Sequence, residues 1–346
     1  MSPCDFDSVP VLRLAIPQRS NHDVGGTKFE IPALSRRKLL VATNPVAAAI
    51  IFDRIQDALF QHLVGLGRAT SSRKSPDASH QHRGCLGTPR HFFSVTESQG
   101  RGSLHLHALL WVGLPTSVLQ RYVHRANDML EKIIQYLDAI VTSYLPEWDT
   151  TATDDETPHA NHPSLSAVPD FRRDPSAFYD RAFRIARTHN VHKHSGTCTK
   201  PPKGKIGCRM NYPQAQVPKT RVVQLIRRDD AFGPVKPKEP IFKRDDISFI
   251  SCPVELPDDR ALVLETKRPT VNDKNVVTYS PVLTGTLACN TAVYPLCNVA
   301  QGKGCIRYIV KYMTKVEQYN VNHRNNCSLS LELAIIAALP RMFARG

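Results

Sequence analysis

The chain has 346 residues, 41% of them hydrophobic, which is enough for one large domain with insertions or for two modest ones. Lys and Arg outnumber Asp and Glu by 45 to 31, so the net charge is +14 and the pI is near 9.5. This excess favours a polyanionic partner, most simply nucleic acid, although a basic tail or a membrane-surface patch would give the same charge.

Cysteine count and hydropathy argue against two other classes of protein. The nine cysteines are an odd number, and residues 1–20 lack the charged and apolar regions of a secretory signal. We therefore expect an intracellular, reduced protein rather than a disulfide framework. The most apolar run, residues 331–339, is too short for a membrane span and contains Glu332, so we expect no membrane partner.

The first predicted element with a clear pattern is a helix. Residues 1–40 are rich in Pro, Arg and Ser and predict a partly ordered lead-in. Asn44 then fits an N-cap and Pro45 the first helical position, and apolar residues follow at helical spacing until Gly65 ends the pattern. Residues 68–83 are polar and turn-rich, which predicts a disordered insertion.

Residues 92–111 predict a β-hairpin that carries a candidate metal site. Glu97 and Gln99 lie on one arm, and His105 and His107 lie on the other. Alternate residues of a strand share a face, so both imidazoles can reach one ion. The three-residue Gly-Arg-Gly loop places Glu97 opposite His105. Two imidazoles with a carboxylate or carboxamide suit Mg²⁺ or Mn²⁺ bound beside a phosphate.

The His-x-His pair also has simpler interpretations. Two histidines on a strand are often just polar residues on a solvated face. Here the second arm is apolar on both of its faces, which predicts a strand buried on both sides. Buried histidines need partners, so a mutually satisfied His/Glu/Gln cluster in the core is the remaining alternative.

The middle of the chain predicts ordinary elements around an exposed segment. Residues 115–145 have apolar side chains at three- and four-residue steps, which predicts a long amphipathic helix. Residues 146–176 are acidic and Pro-rich and fit a linker. Residues 221–226 and 261–266 predict short strands, and neither carries a motif.

Cys and His residues are dense between residues 177 and 218. His189, His192, His194, Cys198 and Cys208 have a spacing compatible with a small structural Zn²⁺ site. The spacing is not that of a regular C-x₂-C pair. Scattered polar histidines and buried free thiols are therefore an equally simple interpretation.

Residues 305–315 predict a helix that groups two tyrosines with a lysine. In a helix Tyr308 and Tyr312 are neighbours on one face, and Lys315 falls on that face too. A tyrosine hydroxyl can attack a phosphodiester and hold the cleaved end covalently, and a nearby metal ion or lysine favours the phenolate. The simpler interpretation is an amphipathic helix with aromatic packing.

Together these residues resemble the HUH endonucleases, and specifically the rolling-circle replication initiator domain of Helitron transposases, also called the Helitron helicase-like domain. The similarity covers residues 38–315. The landmarks occur in the same order as in the family: Asn44-Pro45-Val46-Ala47, Glu97-x-Gln99-x-Arg101-Gly102, Leu109-Leu110-Trp111, His192, His194, Thr197-Cys198-x-Lys200, Cys208-Arg209 and Tyr308-x₃-Tyr312-x₂-Lys315.

The resemblance implies an α+β fold, with an antiparallel sheet of HUH-endonuclease type flanked by helices and a Cys/His-containing insertion. It implies that His105 and His107 are metal ligands, that Glu97 or Gln99 is the third, and that the tyrosines are the nucleophiles. The implied reaction is metal-dependent nicking and rejoining of single-stranded DNA through a 5′-phosphotyrosine, for a Helitron-type transposable element. We expect an intracellular location, which would be the nucleus if the source is a eukaryote.

The expected organisation follows the chain. We expect a lead-in (1–40), a first half of the endonuclease domain with the metal hairpin (41–145), an acidic linker (146–176), a Cys/His insertion (177–218), a second half with the tyrosine helix (219–325) and a tail (326–346).

The sequence departs from the family at two places. The family's apolar, Thr-rich first strand has no clear counterpart, residues 9–16 being the nearest candidate. The helicase phosphate loop G-x-x-x-x-G-K-[S/T] is absent, so we expect a truncated copy without the helicase domain. The alternatives are a catalytically inactive DNA-binding remnant and a zinc-stabilised interaction module.

Overall fold

The computed structural model describes most of the predicted domain. The described residues are 9–16, 31–66, 82–98, 104–112, 118, 127–146, 166–196, 198, 208, 210–227, 242–246, 262–297, 299–313 and 330–337.

Helices and strands alternate irregularly along the chain, as in an α+β protein. In chain order they are α1 (Val9–Ala15), α2 (Leu34–Thr43), α3 (Pro45–Ala58) with a π-helical extension (Leu59–Val64), β1 (His91–Ser98), β2 (Leu104–Val112), α4 (Asn127–Ile140), α5 (Pro175–His189), β3 (Arg221–Arg227), β4 (Phe242–Asp246), β5 (Leu262–Glu265), α6 (Pro281–Leu287), β6 (Thr291–Leu296), α7 (Val299–Met313) and β7 (Ser330–Ala337).

The sheet that carries the candidate metal residues is mixed. Its strand order is β1-β2-β7-β6. The β1 and β2 strands form the predicted antiparallel hairpin, whereas β7 runs parallel to both β2 and β6. The sequence predicted an antiparallel sheet, but β7 is parallel to both of its neighbours. It also predicted a tail over residues 326–346, of which residues 330–337 form β7 instead. A short, near-continuous apolar run is the pattern of a parallel strand, and periodicity alone does not separate such a strand from other apolar segments.

The hairpin register agrees with the loop-length argument. Glu97 pairs with His105, and Val95 pairs with His107. The β2 strand is buried along almost its whole length, as its apolar character on both faces predicted. A shift of one residue would turn every side chain to the opposite face, so this register determines which way both histidines point.

The two faces of β2 pack against different parts of the protein. Leu106 and Leu110 are fully buried in the main core, which also includes residues of α3 and α4. On the other face Leu109 packs with Leu296 of β6 and Ile309 of α7. Burying each of these side chains contributes about 1.5 to 3 kcal/mol. The α7 helix is therefore held across the face that carries His105 and His107.

The second sheet has the order β4-β3-β5 and is antiparallel throughout. Its β3 and β5 strands confirm the two short strands predicted over residues 221–226 and 261–266.

The α5 helix was not predicted. Asp174 begins it, because its carboxylate accepts a hydrogen bond from the backbone N–H of Ala177, and Pro175 takes the first helical position.

The helix predicted at Asn44-Pro45 is present, but Asn44 acts differently from the prediction. Pro45 is the first helical residue, and Gly65 ends the segment with a φ of 87°. The Asn44 side chain does not cap α3. Its Nδ2 instead donates to the carbonyl oxygen of Leu40, at the end of α2. Asn44 therefore lies between the end of α2 and the start of α3, and its side chain hydrogen bonds to α2.

Two other predicted segments differ in extent. The α4 helix confirms the later part of the amphipathic helix predicted over residues 115–145. Residues 115–117 and 119–126 of that prediction lie outside the described residues. The nearest candidate for the family's first strand is the α1 helix instead. Val11 and Leu12 of α1 are buried in the main core.

Within the described ranges, no single helix is long and apolar enough to cross a membrane. One pair, Ser35–Thr43 with Pro45–Val64, passes the length and composition test jointly but is bent by 89°.

Gly84 offers a test of the packing that precedes β1. A Cβ at Gly84 would collide with the backbone carbonyl of Val64, which cannot move aside as a side chain could. We expect Gly84→Ala to lower the free energy of unfolding by about 1 to 3 kcal/mol in urea titrations.

The matched control is Gly304→Ala in α7, where an added Cβ meets no heavy atom of the described structure within 4 Å. Alanine favours helix over glycine, so the control should be neutral or stabilising by up to about 1 kcal/mol. Equal stability of the two variants would contradict the packing described for Gly84.

Candidate functional site

Three predicted site residues lie together on the β1–β2 hairpin. Glu97, His105 and His107 are only 7%, 4% and 2% exposed. The centroids of the His105 and His107 rings are 4.2 Å apart, and Glu97 Oε2 lies 3.2 Å from His107 Nε2. Two ligands at about 2.2 Å from one ion and at right angles to each other would lie roughly 3 Å apart. The Glu97–His107 spacing therefore fits both a direct hydrogen bond and a shared ion.

Burial also controls the protonation of one member of this cluster. Desolvation lowers the pKa of His105 well below its usual range, and its neighbour His107 acts in the same direction. A neutral imidazole keeps the lone pair that a metal ligand needs. Two imidazoles beside a carboxylate form a donor set suited to a divalent cation.

The tyrosine helix lies directly over this cluster. The ring of Tyr308 meets the ring of His107 edge to face, with 5.4 Å between the centroids. Ile309, the next residue, is buried against Leu109 of β2 and anchors the helix. Tyr308 remains 41% exposed. A hydrophobic contact thus positions a solvent-accessible tyrosine beside a buried histidine.

The structure leaves three of the predicted site residues untested. The backbone of Tyr312 lies in α7 one turn beyond Tyr308, which agrees with the predicted helix. Its side chain, together with Gln99 and Lys315, lies outside the described residues. Among the two candidates for third ligand, Glu97 is therefore the one whose geometry is known.

A second cluster forms between α5 and β3. The ligand atoms of His192, His194, Cys198 and Cys208 all lie within 4.8 Å of one another, so this group could hold a metal ion. His192 Nε2 is 3.6 Å from the sulfur of Cys198 and 3.3 Å from that of Cys208. Of the three histidines considered from sequence, His189 is not part of the group.

Local backbone structure presents both sulfurs to the same point. The N–H of Cys198 donates to the carbonyl of Ser195 in a turn. After Cys208, the N–H of Met210 donates to the Cys208 sulfur at 3.4 Å. Asn211 then takes a φ of 60°, a left-handed conformation that asparagine tolerates. These turns orient the sulfurs of Cys198 and Cys208 towards His192.

The electrostatics of the two clusters are similar. Burial lowers the pKa of His192, and its neighbour His194 lowers it further.

The thiol of Cys297 lies in the core, outside both clusters. Burial raises the pKa of Cys297 to about 12, so this thiol stays protonated. Among the described residues, no cysteine forms a disulfide.

The two clusters differ in compactness. Across the described ranges, the His192 group is the one set of three or more His, Cys, Asp or Glu residues whose ligand atoms meet the 4.8 Å condition. Glu97, His105 and His107 do not meet it together, although two of the three are in contact. An ion at the hairpin would need a small side-chain adjustment. The compact His/Cys group is therefore the stronger candidate for a bound metal ion.

One residue of the second cluster was missed from the sequence. Tyr212 stacks on the ring of His192, with 4.5 Å between centroids and an angle of 20°. It shields that side of the cluster from water. An aromatic residue four positions after Cys208 was the available signal, but its spacing alone does not distinguish stacking from ordinary burial.

These features define a mixed α/β protein in which a buried His/His/Glu cluster faces a tyrosine-bearing helix, with a separate His/Cys group. Residues 7–110 match the family model described as the Helitron helicase-like domain at N-terminus. This match bears out, over these residues, the resemblance to the Helitron helicase-like domain. No curated protein and no solved structure matches the chain.

The matched segment covers only part of the candidate site. It includes Glu97, His105 and His107 and ends before the His/Cys group and the tyrosine helix. Any role for Tyr308 therefore rests on its position beside His107, not on the family match.

The contact between Glu97 and His107 generates a prediction about metal binding. In protein whose His/Cys group is first saturated with Zn²⁺, Glu97→Ala should weaken Mn²⁺ binding by about tenfold or more. Substituting a residue that only hydrogen bonds to a metal ligand already lowers metal affinity by about that factor. Gln99→Ala should bind Mn²⁺ like the wild type. Titration followed by the electron paramagnetic resonance of free Mn²⁺ measures both.

The control for this titration is His91→Ala, an exposed histidine at the start of the same hairpin. Loss of binding in Gln99→Ala alone would assign the third ligand to Gln99. Equal affinity in all the variants would show that the hairpin holds no Mn²⁺.

Proposed function

We propose that this protein nicks and rejoins single-stranded DNA through a covalent tyrosine intermediate in a metal-dependent reaction. The observation that carries this proposal is the 5.4 Å edge-to-face contact between Tyr308 and His107. It brings a hydroxyl nucleophile to a buried donor set suited to a divalent cation. A Helitron-related function is consistent with the family match.

The metal would be Mg²⁺ or Mn²⁺, held by His105, His107 and Glu97. When bound, such an ion supplies charge stabilisation to the scissile phosphate. The residues fit it because both imidazoles are buried, burial keeps His105 neutral, and the carboxylate already touches His107.

Tyr308 is the proposed nucleophile. Its phenolic oxygen attacks phosphorus and forms a phosphotyrosine bond to the 5′ end of the downstream fragment. The bond from phosphorus to the 3′-oxygen breaks, and that oxygen leaves as a 3′-hydroxyl after taking up a proton. Rejoining is the reverse reaction, in which a 3′-hydroxyl attacks the phosphotyrosine and releases the tyrosine.

Two residues are proposed to assist. Tyr312 is one helical turn from Tyr308 and would serve as the nucleophile of a second strand transfer. Lys315, on the same predicted face, would lower the cost of forming a phenolate. A pair of tyrosines permits two successive transfers without release of the first DNA end.

Single-stranded DNA is the proposed partner because of charge and geometry. The net charge of +14 favours a polyanion. In-line attack requires the phosphate to reach a tyrosine that lies over a sheet, and a flexible single strand reaches it more readily than a duplex. Binding should weaken steeply as salt is raised.

For the second cluster we propose Zn²⁺ as a structural ion. Two thiolates and two imidazoles are a common ligand set of structural zinc. The cluster connects the segment after α5 with the segment before β3, and the backbone N–H of His192 bonds to the carbonyl of Asn275. Zinc would therefore stabilise the region between the two sheets.

A zinc-stabilised interaction module is the second candidate function. The observation that favours it is the compactness of the His192 group compared with the hairpin cluster. In that case the folded protein would depend on zinc for its stability, and His105→Ala would change neither the zinc content nor the stability.

The main prediction is a covalent adduct of defined polarity. With Mg²⁺ or Mn²⁺, a 3′-labelled single strand should transfer its label to the protein and shift it on a denaturing gel. A 5′-labelled strand should release its label on a shorter free fragment. Duplex DNA should be a poor substrate.

Substitutions assign this adduct to the proposed site. The adduct should be absent in Tyr308→Phe/Tyr312→Phe, and His105→Ala should reduce its rate by about a hundredfold or more. Controls are Tyr179→Phe in α5 and His91→Ala in β1. No adduct from the wild type, with salt-sensitive binding retained, would contradict nicking and identify a DNA-binding remnant.

A separate prediction tests the zinc. The purified protein should contain stoichiometric zinc, and Cys208→Ser should remove it and lower the melting temperature, because a structural zinc site contributes on the order of 10 kcal/mol. Cys305→Ser, a thiol outside the cluster, should leave the zinc content unchanged. An unchanged melting curve of the wild type in strong chelator would contradict a structural zinc.

A further inference from the structure

A pocket of about 250 Å³ lies where β5 and β6 meet the segment that follows Cys208. Its walls combine the guanidinium of Arg268 with the rings of Tyr212 and Tyr294, and with the side chain of Met210. None of these residues is a candidate metal ligand of the two clusters described above, although Tyr212 stacks on His192.

Arg268 is a buried cation whose hydrogen bonds are weak. It is only 8% exposed. Its terminal nitrogens reach the carbonyl oxygen of Thr266 at 3.3 Å and the hydroxyl of Thr278 at 3.4 Å, both long for such bonds. Its Nε–H is buried and has no hydrogen-bond partner within the described structure. The carboxylates of Glu265 and Asp273 act on this charge through space, but within the described residues neither forms an ion pair with it. Because a buried charge without a close partner is costly, an anion that entered the pocket would be bound favourably.

The one carboxylate in the pocket wall is already compensated. Glu265 accepts hydrogen bonds from the Nε and Nη2 of Arg221 at 3.0 and 2.9 Å. It does not form an ion pair with Arg268. The charges of Glu265 and Arg221 cancel, which leaves the wall with the positive charge of Arg268.

The pocket also has an aromatic entrance. Tyr294 is 40% exposed, and Met210 beside it is exposed as well. The Tyr212 and Tyr294 side chains both line the pocket, close enough for Tyr294 to lower the pKa that burial raises at Tyr212. Exposed aromatic rings next to a positive charge are how proteins hold single-stranded nucleic acids, since every base has a face that can stack.

The pocket lies on the same sheet face as the histidine cluster. Leu296 of β6 packs with Leu109 of β2 under α7, and alternation along the strands puts Tyr294 on the face of Leu296 and His107 on the face of Leu109. Through β7, Ala292 is in register with His107. Tyr294 is therefore two strands across and two residues along from His107, a distance of roughly 12 Å.

We propose that this pocket binds one nucleotide of the single-stranded substrate, next to the nucleotide that is cut. Arg268, with the hydroxyl of Thr278, binds a backbone phosphate, and the ring of Tyr294 stacks against a base. This inference rests on single-stranded DNA as the proposed substrate. It adds a binding element that fixes the strand across the sheet face between β6 and β2.

Fluorescence anisotropy of a labelled oligothymidylate, without added Mg²⁺ or Mn²⁺, tests the pocket apart from the cutting reaction. Arg268→Gln and Tyr294→Ala should each weaken binding by about tenfold or more. Arg268→Gln should also lower the slope of log Kd against log salt by roughly 0.7, the value for one phosphate contact on a single strand. Arg268→Lys should keep the slope, and Tyr294→Phe should keep the affinity.

The matched control is Arg173→Gln, which removes the same charge from a residue that is 88% exposed and outside the pocket. It should bind within about twofold of the wild type. Zinc content and melting temperature identify a variant that is merely misfolded. Tyr294→Ala, at an exposed position, keeps the test valid if Arg268→Gln does not fold.

The outcomes separate this inference from the proposed reaction. If Tyr294→Ala and Arg268→Gln bind like Arg173→Gln while the wild type still forms the covalent adduct, the pocket inference is wrong and nicking stands. If the wild type forms no adduct but both variants lose binding, nicking is wrong and the pocket stands.

Discussion

The pairing of Glu97 with His105 across the β1–β2 hairpin controls where the polar side chains of the site lie. Leu106 and Leu110 alternate with the histidines and are fully buried in the main core. A slip of one residue would drive both imidazoles into that core and expose the leucines. The hydrophobic packing of one face of β2 therefore holds the polar cluster on the other face.

The position of α7 depends on the same strand. Ile309 packs on Leu109, and this contact brings the neighbouring Tyr308 beside His107. The face continues across β7 to Tyr294 on β6. One sheet face thus carries a candidate cation site, a candidate nucleophile and a candidate nucleotide pocket, in an order that a single strand could follow.

Local periodicity predicted much of this arrangement. Two-residue alternation placed His105 and His107 on one face, and the short loop placed Glu97 opposite. Long-range features were not predictable in this way. The β7 strand pairs with β2 across more than half of the chain, and no local pattern encodes its parallel direction. Arg268 and Tyr294 meet only because β5 and β6 approach each other, and neither belongs to a sequence motif.

If the proposed reaction occurs, Tyr308 or Tyr312 becomes covalently linked to DNA at this sheet face. Tandem mass spectrometry of the protease-digested adduct should then find the nucleotide 5′-phosphate on a tyrosine of the α7 peptide, and the same peptide should be unmodified in His105→Ala. A nucleotide attached to a residue outside α7, or a modified α7 peptide undiminished in His105→Ala, would show that this sheet face does not carry out the reaction.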